Sequence, residues 1–425
     1  MKRMSRMPVL PAILLVLLLM ALFSFPGMAA EKTKLVWGLY TNIPERVTVW
    51  EGWAKKFEAL HPNVEVEILG AASGWYDKLL VWIAGGVAPD VAWMGMNMYV
   101  SFTDLLLPLN HLIDKDPAIK SILPQAHINM TWEGQILGLT YGLNTHTVFY
   151  NKDMFNEAGL AYPKDDWTWD DAMNMAKQFT KDTNGDGVPD RWGLNVYWPY
   201  TAWNYGGDVF SPDGRTILIN RPATIKTMQL FADLNNGKAG VQPPASLNLG
   251  DSKAQVANGI TAMAPRGVFD ITYFQNSSKF DWDVVGMPAT VVDGQRYRAT
   301  FFSPEAWCIP RDAKNPDLAA EFIRFILQPE QTAEFAAIGA IIPSQPQVAA
   351  DVFYKIDPSK NLMAFLRALD YTAQQYWAHP AYNQLGLTSG QYFTDMLNGA
   401  MAAQFAIPEI ARQANEILKQ FYAGK

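Results

Sequence analysis

Cysteine is nearly missing from this chain of 425 residues: Cys308 stands alone, so no internal disulfide can form. Histidine is scarce as well. His61, His111, His127, His146 and His379 are scattered without the spacing that metal ligands share, which reads each as a surface or core residue. Positive charge is in deficit, with 34 Lys and Arg against 41 Asp and Glu, a net charge of -7. A nucleic-acid surface needs clustered cations to displace counterions, and that class is set aside. Beyond the first thirty residues no stretch reaches the roughly 18 uninterrupted apolar residues of a membrane span. No G-x-S-x-G elbow, H-E-x-x-H pair, phosphate-binding glycine loop or G-x-G-x-x-G is present. A glycosidase, which needs only two suitably separated carboxylates, stays open on the sequence alone.

What is present begins with an export signal. Lys2, Arg3 and Arg6 precede an apolar run from Ile13 to Phe25, and Gly27-Met28-Ala29 fits a small-x-small cleavage site, with Ala30 as an alternative end. An uncleaved anchor is the rival reading. With no cysteine at the signal end to carry a lipid, the expectation is a soluble, periplasmic protein. The remaining body, roughly 400 residues, exceeds the length of about 250–300 at which one core stops growing, and two lobes are expected.

Hydrophobic patterning places the elements. Lys34 to Tyr40 reads as a strand, and Val47, Trp50, Trp53, Ala54, Phe57 and Leu60 recur at helical spacing until His61-Pro62. Val64, Val66 and Ile68 alternate with acids as a second strand; Trp75 to Ile83 reads as helix, and Val91 to Met94 as a third strand. This order is that of a parallel α/β lobe, whose ligands gather at the carboxyl ends of its strands, at Tyr40 to Asn42 and Met94 to Asn97. Further on, Thr147 to Tyr150 reads as a strand, Trp169 to Phe179 as a helix, and Gly259 to Ala264 and Trp282 to Met287 as short strands. Asn315-Pro316 is expected to cap a helix whose apolar stripe runs from Leu318 to Leu327; a second helix starts at Pro329, and the last hundred residues are mostly helical.

Several segments together resemble the extracellular solute-binding proteins of ABC importers, in the sugar-binding class that includes maltose-binding protein. They are WEGWAKKFEALHPNVEVEIL, GGVAPDVAWM, VFYNKDMFNEAGL, WTWDDAMNMAKQFTKDTNGDGVPDRWGL, NGITAMAPRGVF, WDVVGMPA and AWCIPRDAKNPDLAAEFIRFILQPEQTAEFAAIGAIIPS. The resemblance implies a two-lobed α/β periplasmic-binding-protein fold of type II, each lobe a mixed sheet flanked by helices, with the ligand in the interlobe cleft. It puts residues 31–144 plus 304–346 in one lobe and 145–303 plus 347–425 in the other, after a signal at 1–30. Chain crossings fall near Leu143 to Val148, near Thr300 to Trp307 and after Pro343. It also implies a monomer that delivers a sugar to transmembrane permease subunits, with no catalysis and no cofactor.

A pyranose has apolar CH faces and a rim of hydroxyls, so its binder needs flat rings and in-plane hydrogen-bonding side chains. Fifteen tryptophans and seventeen tyrosines supply rings in excess. Matching the family's ligand-contacting segments implicates Tyr40, Asn42, Trp75, Tyr76, Asn97, Tyr141 and Asn144 from the first part of the chain. The rest are Tyr197 and Trp203 in NVYWPYTAWNYGG, Arg266, Phe269 where the family has a stacking tryptophan, Glu305, Trp307 and Trp377. Any single ring among them is equally readable as lobe packing.

One further motif, DTNGDGVPD, sets Asp182, Asn184 and Asp186 at alternate positions, with Asp190 at the ninth, as in a calcium loop. Gly193 stands where such a loop needs a bidentate Glu, and an Asx- and Gly-rich turn accounts for the same residues without metal. A polyol or a glycerol phosphate ester remains the alternative ligand, and an exported carbohydrate-active enzyme the alternative class.

Overall fold

The computed structural model describes residues 32–423 apart from 96–98, 123, 129, 197–208, 212, 293, 340, 372–378, 380 and 388. Its opening third follows the apolar pattern closely: β1 (Thr33–Tyr40), α1 (Pro44–Leu60), β2 (Val64–Ala71), α2 (Trp75–Ala84) and β3 (Val91–Gly95). β1 pairs in parallel with both β2 and β3, and α1 buries Trp50, Trp53, Ala54 and Phe57 against them. Pro44 suits the first turn of α1, where its missing N–H would have had no partner.

β4 (Leu139–Asn151) is thirteen residues long and ties the molecule together. It pairs antiparallel with β8 (Phe302–Cys308) over its first half, and with β6 (Thr261–Gly267) and β7 (Trp282–Val285) over its second. The sheet runs β2-β1-β3-β8-β4-β6-β5, where β5 is Trp192–Leu194; β7 and a short β9 (Ile342–Pro343) also pair with β4. At Gly142 a Cβ would stand 2.3 Å from the Ile341 side chain, so only glycine lets the chain pass β9 this closely.

Helices cover both ends of the sheet. α3 (Lys152–Ala158) and α4 (Trp169–Phe179) follow β4, and α4 opens with a reciprocal cap in which the Thr168 and Asp171 side chains each accept a backbone N–H from the other. α5 (Pro222–Asn235) precedes α6 (Ser252–Ala257), which packs on β6 and against α7 (Ile271–Ser277). α8 (Pro316–Ile326) and α9 (Pro329–Ala337) pack against α1, and α10 (Ala403–Ala423) packs on α5.

Two apolar cores result. One joins Trp37, Trp50, Phe57, Trp307 and Phe322 with neighbours on β4, and the other joins Phe155, Ala176, Met228, Met263 and Leu418. Cys308 is fully buried in the first core, and burial raises its thiol pKa, as expected of an inert residue. Asn315 departs from the expected cap: its side-chain amide donates to the Lys34 carbonyl, and α8 starts on Pro316 without a side-chain bond. No helix among the described residues is long and apolar enough to cross a membrane.

Candidate functional site

The carboxyl ends of β1 and β3 bring three partly or largely covered rings together. Tyr40 lies 5.3 Å from Trp93 between ring centroids, and Tyr76, at the start of α2, lies 6.1 Å from it. The Tyr76 hydroxyl accepts a hydrogen bond from the Gly95 N–H at 3.1 Å, which fixes the tip of β3 against α2, and burial raises the phenol's pKa. Asn42 is exposed beyond β1.

Behind the rings lies a buried polar knot centred on Glu305 of β8. Its Oε2 accepts from Arg46 Nη1 at 2.8 Å, Trp93 Nε1 at 3.1 Å and the Tyr141 hydroxyl at 2.5 Å. Its Oε1 accepts from Asn144 Nδ2 at 3.0 Å. Tyr141 is held well above the usual phenol range by burial and by the neighbouring carboxylate. A carboxylate out of water needs such compensation, and four donors on two oxygens supply it. Asn144 Oδ1 has no hydrogen-bond partner among the described residues.

The second half of β4 leads to a cavity of about 550 Å³. Its lining combines the amides Asn195, Asn235, Gln242, Asn248 and Gln255 with Phe269, His146 and Arg266. Asn144 and His146 are two positions apart on β4: Asn144 belongs to the Glu305 knot and His146 lines the cavity. Gly267 lets Phe269 fold back over the strand: a Cβ on it would fall 2.3 Å from the ring and 2.9 Å from His146 Nε2. The His146 ring is held well below its ordinary pKa by burial and then by Arg266, so it faces the cavity as a neutral imidazole.

Two expected ligand contacts are reassigned. Trp307 is fully buried, stacked on Tyr141 at 4.7 Å and edge-on to Trp37 at 5.3 Å, so its ring is core rather than cleft surface. Trp75 is 2% exposed and donates its indole N–H to the Trp93 carbonyl at 3.1 Å, filling the space left above Gly38. Tyr141 and Asn144 are also buried, with their donors committed to Glu305. Asn97, Tyr197, Trp203 and Trp377 lie outside the described residues. Arg46, Trp93, Asp251 and Asp270 are additions; only Trp93, beside the strand end already singled out, carried a positional signal.

The Asp182 loop closes on itself. Asp182 accepts from the Gly185 and Gly187 N–H groups, Asn184 from Asp186, Asp186 from Val188, and Asp190 from both Thr183 groups. These are Asx turns, and they engage the oxygens that a cation would take.

Comparison with known proteins bears on this arrangement. A family model of bacterial extracellular solute-binding proteins matches residues 52–364. The chain is 25% identical over 335 residues to the arabinooligosaccharide-binding protein of Bacillus subtilis, covering 73% of this chain and 74% of that one. It is 27% identical over 214 residues to the sn-glycerol-3-phosphate-binding periplasmic protein of Yersinia enterocolitica, about half of either chain. In fold it is similar to the ABC substrate-binding protein of Listeria monocytogenes in complex with cycloalternan, with a TM-score of 0.79 and 23% identity over 91% of this chain and 99% of that one.

Proposed function

We infer that this chain, which belongs to the bacterial extracellular solute-binding proteins, captures a mono- or oligosaccharide between its two lobes and hands it to the permease subunits of an ABC importer. The observation that carries this reading is the cavity lining, where five side-chain amides and the Phe269 ring are presented by the lobe that holds residues 145–303. Amides pair both as donors and as acceptors with hydroxyls, and a ring covers a sugar's CH face at low entropic cost. A volume of about 550 Å³ falls within the range of pockets for small ligands. The similarity to an arabinooligosaccharide-binding protein supports the same class.

The lobes we assign are 31–144 plus 304–346 and 145–303 plus 347–425, with β4 and β8 as crossing strands. Closure over the ligand would couple affinity to permease docking through one hinge equilibrium. We place the protein in the periplasm as a monomer that turns nothing over. A glycerol phosphate ester is the second reading, favoured by the Yersinia enterocolitica relative.

A thermal-shift screen of mono- and disaccharides, polyols and glycerol phosphates tests the assignment. A ligand at 100 times its dissociation constant adds about 2.7 kcal/mol of stability. The expected result is a shift with a saccharide; silence across all saccharides beside a shift with glycerol phosphate would transfer the assignment to the second reading.

A further inference from the structure

Arg266 is the one Lys or Arg among the described residues that line the cavity. Its Nε donates to Asp270 Oδ2 at 2.7 Å, and its Nη1 lies 3.2 Å from Asp251 Oδ1 and donates to Ser252 Oγ at 3.0 Å. Asp270 is buried and takes a second cation, Lys253, 3.5 Å from its other oxygen. Two carboxylates therefore answer two cations, and the group balances. The buried guanidinium of Arg46 is likewise matched, by Glu305.

We propose that Asp251 and Asp270 determine the charge specificity of the site: by neutralising Arg266 they make the cavity select an uncharged polyhydroxylated ligand over its phosphorylated counterpart. A phosphoryl group is held by uncompensated cations or helix amino ends, and Arg266 offers it a guanidinium already matched by carboxylates. A dianion brought near would also face Asp251 directly, and like charges disfavour it. A hydroxyl carries no charge and meets no such penalty, and the lining amides offer it both donors and acceptors. The inference rests on the sugar reading of this cavity and deepens it by excluding the ester.

The test compares wild type, Asp251→Asn and Asp270→Asn by calorimetric titration with three probes: the best neutral saccharide, its phosphate monoester, and inorganic phosphate. Wild type is expected to prefer the neutral saccharide by at least about tenfold and to show no heat with phosphate. Each variant should shift that ratio toward the ester, by at least about threefold for the half-exposed Asp251 and about tenfold for the buried Asp270. Each variant should also acquire phosphate binding. Asp251→Asn keeps the test readable if the buried substitution fails to fold. Saccharide binding intact with an unchanged ratio and no phosphate gain in Asp251→Asn would overturn the proposal alone. Phosphate gained by the variants with no saccharide bound by any of the three would keep the charge assignment and remove the sugar reading.

Discussion

Arg46 and Glu305, 259 positions apart in the chain, meet as a buried ion pair at 2.8 Å. The pair joins the first turn of α1 to the strand β8 that runs beside β4. Removing one partner strands the other charge away from water, at a cost of about 3–5 kcal/mol. Glu305→Gln is therefore expected to lower the urea unfolding midpoint strongly. Adding Arg46→Met to it should recover part of the loss, since a buried pair replaced as a unit is far less costly than a broken one. Equal loss in single and double variants would show that the pair is not what Glu305 contributes.

Trp307 and Phe269 separate stability from affinity. Trp307→Ala empties a fully buried site and should cost about 3–5 kcal/mol of stability, whereas the milder Trp307→Phe should leave saccharide affinity within about twofold. Phe269→Ala, at the partly exposed cavity wall, should instead weaken the saccharide by at least about 1 kcal/mol with little effect on unfolding. Calorimetry and denaturant titration on the same three preparations read both quantities.

His127 supplies a pH dependence. Burial lowers its pKa from 6.5 to about 4, and neither ring nitrogen has a partner among the described residues. The unfolded chain binds its proton first, so this contribution is complete above pH 6.5 and falls away as pH drops toward 4. The full loss is about 3 kcal/mol, at roughly 1.4 kcal/mol per unit. His127→Phe should flatten the stability profile across that window; an unchanged slope would place the titrating group elsewhere.

The Asp182 loop holds its own shape through backbone N–H groups. Adding millimolar calcium or a chelator is expected to move the melting temperature by less than about 1 °C. A rise of several degrees with calcium, abolished in Asp182→Ala, would establish a metal site there.

α1 and β2 were legible because each has one buried face and a clear period, as in Val64–Ala71, where exposed Glu65 separates buried Val64 from half-buried Val66. β4 was not: only Thr147 to Tyr150 stood out from a strand reaching back to Leu139, because every residue except His146 is buried and no alternation marks its ends. The same condition hid the role of Trp307, since β8 is buried at all seven positions and the pattern cannot tell a core ring from a cleft ring. Arg266 and Phe269 were reached through resemblance, but Asp251, which also pairs with Arg266, was not, because it sits fifteen positions earlier before a different element and nothing in the spacing joins them.

The proposed function requires that a saccharide be taken up and released unaltered. Isothermal titration of the purified protein with the strongest saccharide from the screen, followed by chromatography of the recovered ligand, tests it most directly. Saturable one-to-one binding and intact ligand are expected. No measurable heat with any saccharide, or cleavage products in the recovered fraction, would contradict it.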